Sequence, residues 1–246
     1  MPDAASFAAL VGAVAVVAGA IASVAGFGIG SILTPLVGLR VGIRLAVAVV
    51  SLPHFAGTAL RFWRLRAHVD RPVLVRFGIT SAAGGLVGAV AHAFVRSAAL
   101  GILLGALLVF AGVLGMSGLS ARLRFGRRTA WLAGAVSGLF GGLVGNQGGI
   151  RSAALLGFDV PKEAFVATAT AIGVVVDVAR VPVYLATQGR DIVRAWPLVT
   201  AATAGVLVGT IVGQGVLRGI PEPAFRVTVS AVIALLGIAL LAGVGG

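Results

Sequence analysis

Residues 26–36 read Gly-Phe-Gly-Ile-Gly-Ser-Ile-Leu-Thr-Pro-Leu, and residues 145–152 read Gly-Asn-Gln-Gly-Gly-Ile-Arg-Ser. Both stretches follow an apolar run that is long enough for a helix, and both precede a short apolar run and then another helix. Their glycines permit backbone conformations that an α-helix cannot hold. The pattern therefore predicts two helix breaks at matching places in the chain.

The composition around these breaks is that of a membrane protein. The chain has 246 residues, of which 59% are hydrophobic and 11% are charged, whereas soluble domains have about half apolar and about a quarter charged residues. A soluble enzyme and a disordered chain are thereby excluded, and so is a disulfide scaffold because the chain has no cysteine. Unwound backbone at membrane depth occurs only where it is buried in protein or lines a cavity. The two breaks therefore predict a site inside a helical bundle.

Eight segments are apolar and long enough to cross a bilayer, which takes about 20 residues. They predict an all-α membrane protein whose helices pack closely through glycine and alanine. The predicted spans are 6–25, 41–61, 72–95, 98–118, 129–146, 162–186, 196–217 and 224–244.

The chain also contains an internal repeat. At an offset of 119 residues, the segment 26–61 aligns with 145–180 without a gap and with eight identities. The block Ala-Gly-Gly-Leu-Val-Gly at 83–88 matches Ala-Gly-Val-Leu-Val-Gly at 204–209, at an offset of 121. A two-residue change of offset is what a single loop insertion produces.

These matches predict two homologous four-helix repeats, at 1–118 and 129–246, joined by a basic connecting loop at 119–128. Each repeat is expected to contain one Gly-rich break followed by a short half-helix. Four spans in each half make the repeats parallel. If the short segments also cross the membrane, each half has five spans and the repeats are inverted.

The net charge of +12 comes from 19 Lys and Arg residues against 7 Asp and Glu residues. Because the basic residues cluster between the apolar runs, we interpret most of them as loop charges that set orientation, and we predict no nucleic-acid partner. With eight spans, ten basic residues lie on the side of the termini and six on the other, which favours a multi-pass inner-membrane protein with both termini in the cytoplasm. The ten are Arg61, Arg64, Arg66, Arg71, Arg122, Arg124, Arg127, Arg128, Arg190 and Arg194, and the six are Arg40, Arg44, Arg96, Lys162, Arg218 and Arg226.

The breaks have the features of an anion-binding site. A half-helix that begins just after a break directs unpaired N–H groups and the positive end of its dipole at the cavity. Arg151 would add a guanidinium, whose fork matches the oxygens of a carboxylate or a sulfonate, although it could instead extend to the membrane interface. The predicted substrate-binding residues are Gly28, Gly30, Ser31, Thr34, Asn146, Gln147, Gly148, Gly149 and Arg151.

A second group of residues is predicted to couple or gate transport. Asp177 is the acid placed deep in a span, and Arg180 lies three residues later on the same helical face. Such a pair either stabilises the bundle or forms a proton site or gate. The matching first-half residues are Thr58 and Arg61, so the acid has no counterpart. His54, one turn before Thr58, is a candidate proton relay, part of the cavity wall or a packing residue.

These two halves, each with a Gly-rich break and a short apolar run, resemble the TauE/SafE family of sulfite and organosulfonate exporters. The resemblance rests on residues 28–36 in the first half and on residues 145–168 in the second. It implies transport of sulfite, a sulfonate or a related small anion, driven by a proton or charge gradient. Two departures fall in the predicted site: Ala154 stands where Pro35 aligns, and Asn146 and Gln147 stand where the family has smaller residues.

Two other function classes remain open. The segment Gly115-Met-Ser117-Gly118 has the Gly-x-Ser-Gly form of a rhomboid-type intramembrane serine protease, which needs a histidine base near the serine. A passive channel or a scaffold is the third alternative. We predict no metal or cofactor, a bilayer environment, a small anionic substrate with a coupling proton, and a homodimer as a candidate assembly.

Overall fold

The computed structural model describes residues 3–117, 127–146, 148, 151, 155, 161–217 and 221–243. Within these ranges the chain forms nine long α-helices and one short 3₁₀ turn, Arg66–His68, and contains no strand. The helices are α1 Ala4–Ala25, α2 Ile29–Val41, α3 Ile43–Leu65, α4 Arg71–His92, α5 Ser97–Met116, α6 Arg127–Val144, α7 Lys162–Arg194, α8 Trp196–Leu217 and α9 Glu222–Leu241. The prediction of an all-α membrane protein is thus confirmed in its fold class, with seven helices long and apolar enough to span a bilayer.

Local sequence signals determine several helix ends. The Asp3 carboxylate accepts a hydrogen bond from the Ser6 backbone N–H at 2.6 Å and caps α1. The Asp70 carboxylate accepts one from the Val73 N–H at 2.9 Å and caps α4. Such caps satisfy N–H groups that lack a partner within the helix. At its other end α1 stops at Gly26, whose φ of +79° places it in the left-handed region that glycine tolerates.

The helix ends define two faces of the bundle. The terminal face contains Asp3, Arg40 and Arg194, and the Arg40 guanidinium donates to the Asp3 carbonyl oxygen at 3.2 Å. The distal face contains His68 and Glu163, whose side chains approach to 3.8 Å. The chain enters α1 at the terminal face, turns inside the protein at 26–28, and returns through α2 to the terminal face.

Close contacts at glycine fix the direction of the other helices. Methyl groups at Gly84 and Gly88 would collide with successive turns of α6, so α4 and α6 run parallel. Gly205 and Gly209 pack in the same parallel way on successive turns of α1. Helices α5 and α9 pack antiparallel, because Gly105 meets the end of α9 and Gly112 meets its middle. Helices α3 and α7 cross in the centre and place the buried charged residues between them.

The direction of α2 changes the predicted orientation of the loops. This 13-residue helix follows the first break and runs back along α1 to the terminal face. Every later helix end in that half consequently changes face, so Arg40, Arg44 and Arg96 share the face of Asp3. Arg61, predicted as a loop charge in the orientation count, is only 3% exposed. The ten-to-six distribution of loop charges therefore does not hold.

Replacement of Gly138 by alanine is expected to lower the free energy of unfolding by about 1–3 kcal/mol, the usual cost of overpacking. A methyl group there would collide with the backbone of Ser81, because α4 and α6 touch at this position. Gly215→Ala is the matched control, since a methyl group at Gly215 meets no atom of the described residues. Thermal unfolding of both variants in detergent measures the difference. Equal stability of the two variants would contradict the close α4–α6 packing.

Candidate functional site

The two glycine-rich breaks meet inside the bundle. A methyl group at Gly30 would collide with the Gly145 carbonyl oxygen, and one at Gly148 would collide with the Phe27 side chain. The Ser31 hydroxyl lies 3.3 Å from the Asn146 amide oxygen and donates to it. The predicted residues of the two breaks are therefore neighbours in space, and glycine is needed where their backbones approach.

Backbone conformation requires glycine at two further positions of the breaks. Gly28 precedes the first residue of α2 with a φ of +131°, and Gly145 follows α6 with a φ of +74°. Thr34 lies beside the second break, with its hydroxyl 3.6 Å from the place where a Gly145 methyl group would be. That hydroxyl is buried and has no hydrogen-bond partner among the described residues. Gln147 and Gly149, which were also predicted to bind substrate, lie outside the described residues.

Asp177 lies at the centre of the α3–α7 crossing and is fully buried. One of its carboxylate oxygens accepts from Arg180 Nε at 2.8 Å and lies 2.7 Å from Arg180 Nη2. The other lies 2.7 Å from His54 Nδ1 on α3. Three of the four predicted coupling residues thus form one connected group, whose histidine arm joins two helices from different halves of the chain, and the fourth is Arg61.

Arg61 is buried and donates only to neutral acceptors in the described part of the chain. It donates to the Thr170 hydroxyl at 2.9 Å, to the Ala22 carbonyl oxygen at 2.6 Å and, more weakly, to the Gly26 carbonyl oxygen at 3.4 Å. These acceptors satisfy its hydrogen bonds but leave its charge in place.

Arg180 makes a corresponding contact in the second half, where it donates to the Gly141 carbonyl oxygen. Arg61 and Arg180 are 119 residues apart, and so are their acceptors Ala22 and Gly141. Through this hydrogen bond, each arginine therefore holds the last turn of the helix that precedes the break in its own half. The chain's one tyrosine, Tyr184, also donates to this segment, at the Gly142 carbonyl oxygen.

Arg151 is the least satisfied charge in the site. Its side chain is 2% exposed, so it does not reach out to the membrane interface. Its Nε and Nη1 have no hydrogen-bond partner among the residues that the structure describes. A methyl group at Gly173 would lie 3.2 Å from Nη1, so the guanidinium lies close against α7. Arg151 is attracted by Asp177 and repelled by Arg180.

The charges of the site do not balance. Among the described residues with buried side chains there are three arginines but one acid, and His54 can only add positive charge. Burying an uncompensated charge is costly. The cost falls when an ion of opposite charge shares the low-dielectric site. The arrangement is therefore suited to receiving a small anion. The three arginines are Arg61, Arg151 and Arg180, and the acid is Asp177.

The geometry does not support the serine-protease alternative. The Ser117 hydroxyl donates to the Leu114 carbonyl oxygen at 3.1 Å, at the distal end of α5. His92 lies at the other end of the bundle, where its ring nitrogens face the carbonyl oxygens of Leu143 and Arg44. His54 is engaged by Asp177. In the described part of the chain, no three His, Cys, Asp or Glu residues are grouped so as to hold a metal ion.

Comparison with known proteins agrees with this chemistry. The family model described as Sulfite exporter TauE/SafE matches residues 11–240. The chain belongs to the TauE/SafE family. It is therefore a membrane transporter of the anion and sulfite class rather than an enzyme. No curated protein and no solved structure matches the chain.

The TauE/SafE chain also has site residues that sequence reasoning missed. Thr58 was noted only as the residue aligned with Asp177, yet its hydroxyl is buried and has no partner among the described residues. The Thr170 hydroxyl accepts a hydrogen bond from Arg61, and the lack of a side chain at Gly173 leaves space for the Arg151 guanidinium. For Tyr184, the available sequence signal was that it is the chain's one tyrosine and lies within a span. Thr58, Thr170 and Gly173 could be recognised only from the way α3 and α7 cross.

Proposed function

We propose that the protein is a secondary transporter that binds a small anion between its two halves, either sulfite, an organosulfonate or a related sulfur-containing or carboxylate anion. The observation that carries this proposal is Arg151, a buried guanidinium with two unpartnered nitrogen atoms beside the meeting point of the breaks. A guanidinium fork fits two oxygens of such an anion. A transporter's substrate site lies near the repeat interface, and a buried polar group without a partner calls for an explanation.

The halves 1–118 and 129–246, joined at 119–128, are proposed to be inverted repeats. In support, α1 packs parallel to α8 as its counterpart α6 packs parallel to α4. The first-half helices α1, α3 and α5 start at the terminal face, while their counterparts α6, α7 and α9 start at the distal face. Inverted repeats are a common basis of alternating access, because one half can exchange conformation with the other.

The anion would be held by Arg151 together with groups from both breaks. Asn146 and Thr34 add polar side chains, and α2 begins at Ile29 with the free N–H groups of a helix start. Gly28, Gly30 and Ser31 would supply backbone contacts there, and Gln147, Gly148 and Gly149 would do so in the second break.

Coupling would use the group formed by His54, Asp177 and Arg180. The His54–Asp177 contact spans α3 and α7, so a rocking movement of one half against the other would stretch it. A proton taken up by His54 would turn this hydrogen bond into an ion pair and strengthen it, whereas release of the proton would weaken the contact and favour the movement. Arg61 would hold the backbone at the first break in place, as Arg180 would hold the backbone before the second break.

The distal face is proposed to be cytoplasmic, which places both termini on the outer side of the inner membrane and reverses the sequence-based expectation. Eleven basic residues belong to the distal face or to connections that begin and end there, against five at the terminal face. The positive-inside rule assigns the richer face to the cytoplasm. The five are Arg40, Arg44, Arg96, Arg190 and Arg194, and the eleven are Arg64, Arg66, Arg71, Arg76, Arg122, Arg124, Arg127, Arg128, Lys162, Arg218 and Arg226.

Single-cysteine labelling tests this orientation without background, because the chain has no cysteine. Phe94→Cys places a thiol at an exposed position between α4 and α5 on the terminal face, and His68→Cys places one on the distal face. A membrane-impermeant maleimide is expected to label Phe94→Cys but not His68→Cys in spheroplasts. The reverse pattern would contradict the orientation.

Reconstitution into proteoliposomes tests the function itself. Vesicles loaded with unlabelled sulfite are expected to accumulate labelled sulfite against its gradient, whereas glycerol is expected not to exchange. Methanesulfonate and acetate in place of sulfite rank the anion classes. Equilibration without accumulation would indicate a channel, and the absence of any anion-dependent flux would refute the proposal.

A further inference from the structure

We propose that the anionic head of the substrate binds to Thr58 and Arg151 beside Gly173, at the position of the repeat that corresponds to the Asp177 carboxylate in the other half of the site. The inference rests on the proposed function and adds a specific position within the bundle to it. It concerns the crossing of α3 and α7, the helices that follow the glycine-rich breaks in the two repeats.

The repeat alignment pairs two contacts across this crossing. At the offset of 119 residues, His54 aligns with Gly173 and Thr58 aligns with Asp177. His54 on α3 touches Asp177 on α7 at 2.7 Å. The equivalent contact is Gly173 on α7 against Thr58 on α3, and a methyl group at Gly173 would lie 3.1 Å from Thr58 Cγ2. The crossing therefore has two related positions, which we call the carboxylate position (His54 and Asp177) and the Thr58–Gly173 position.

A buried arginine lies beside each of the two positions, but the side chains that form the two positions differ. At the carboxylate position, the negative charge of Asp177 is met by Arg180 and His54. At the Thr58–Gly173 position, Arg151 Nη1 lies 3.2 Å from where a Gly173 methyl group would be, and the residue aligned with Asp177 is a threonine. Gly173 and Thr58 stand where the related position has His54 and Asp177, and the Arg151 guanidinium occupies the space that the missing Gly173 side chain leaves.

The polar atoms at the Thr58–Gly173 position lack partners among the described residues. A helical threonine can hydrogen-bond to the carbonyl four residues earlier, yet the buried Thr58 hydroxyl makes no hydrogen bond to a described residue. Arg151 contributes its unpartnered Nη1 to the same place, and the Nε of the same guanidinium is also without a described partner. Buried donors without partners are costly, and an oxyanion would accept from all three. Gly173 acts as a positioning residue, because any side chain there would displace the Arg151 guanidinium.

The decisive variant is Thr58→Asp, which supplies a carboxylate at the position aligned with Asp177. This carboxylate is expected to pair with Arg151, to raise the melting temperature of the ligand-free protein, and to abolish the further rise that sulfite produces in the wild type. Thr58→Asn has nearly the same size without the charge and is expected to retain a weakened response. Thr58→Val keeps the shape and loses one donor, so the dissociation constant for sulfite should rise about tenfold.

Two controls separate local from general effects. Thr200→Asp adds the same charge at an exposed position of α8 and should leave the sulfite response unchanged. Gly173→Ala should weaken the response, whereas Gly189→Ala on the same helix should not, since a methyl group at Gly189 meets no atom in the described part of the chain. Sodium chloride at matched ionic strength accounts for salt effects.

The outcomes distinguish the two proposals. A wild type whose melting temperature does not respond to sulfite or methanesulfonate would refute the proposed function, and this position with it. A responsive wild type with an equally responsive Thr58→Asp variant would overturn the Thr58–Gly173 position alone. That position would also be overturned if Thr58→Asn and Thr58→Asp lose the response equally and neither ligand-free protein is stabilised, because side-chain size would then be the cause.

Discussion

Replacing Asp177 by asparagine is expected to lower the free energy of unfolding by about 3–5 kcal/mol, the range observed when one partner of a buried ion pair is removed. The variant leaves Arg180 without its acidic partner and His54 without its acceptor at the centre of the bundle. Three buried arginines would then face no buried acid among the described residues. Thermal unfolding in detergent measures the loss.

The same helix supplies a matched control for this variant. Asp191 and Arg194 have the same three-residue spacing in α7 and lie 3.4 Å apart, but both side chains are exposed. Asp191→Asn should therefore cost no more than about 1 kcal/mol, as is usual for surface ion pairs. The double variant Asp177→Asn with Arg180→Gln should regain part of the stability, because it removes the orphaned charge. Similar losses for Asp177→Asn and Asp191→Asn would show that the central pair is not a buried ionic contact.

Replacing Arg151 by methionine is expected to have the opposite effect on stability and the largest effect on binding. The ligand-free protein should become more stable by about 1–4 kcal/mol, because an apolar side chain of similar length replaces a buried charge. Binding of sulfite should weaken at least about a hundredfold, since two hydrogen bonds to a charged group are lost. A residue that destabilises the empty protein and is needed for its ligand is typical of a functional site.

Melting temperatures with and without sulfite report both effects in one experiment, because a ligand that binds only the native state raises its stability. Arg194→Met is the control, as Arg194 is exposed and lies on the terminal face. A variant Arg151→Met that is less stable than wild type and still responds to sulfite would mean that Arg151 is a structural residue.

The sequence was sufficient for the parts of the molecule that depend on local chemistry. The positive φ angles of Gly28 and Gly145 fit the predicted breaks, because other residues resist such angles. The long apolar segments predicted the helices. The offset of 119 residues aligned Arg61 with Arg180, and the two arginines make equivalent contacts in the structure. Arg151 was singled out because a charge beside a break is unusual within a membrane.

What the sequence could not provide depends on tertiary arrangement. Helix α2 has 13 residues, fewer than the about 20 that predict a full span, and the direction of the chain after it decides the face of each later loop. The His54–Asp177 contact joins residues 123 positions apart. In the repeat alignment, Asp177 corresponds to Thr58, which is not an acid. The crossing of α3 and α7 brings Asp177 into contact with His54, one turn before Thr58.

The proposed transport function depends above all on Arg151, the buried and unpartnered guanidinium that would bind the anion between the two halves. Sulfite counterflow tests this role in proteoliposomes that contain wild type, Arg151→Met or Arg194→Met at equal amounts of folded protein. We expect the wild type and Arg194→Met to accumulate labelled sulfite, and Arg151→Met to accumulate none. Undiminished accumulation by Arg151→Met would contradict the role of this residue in binding the transported anion.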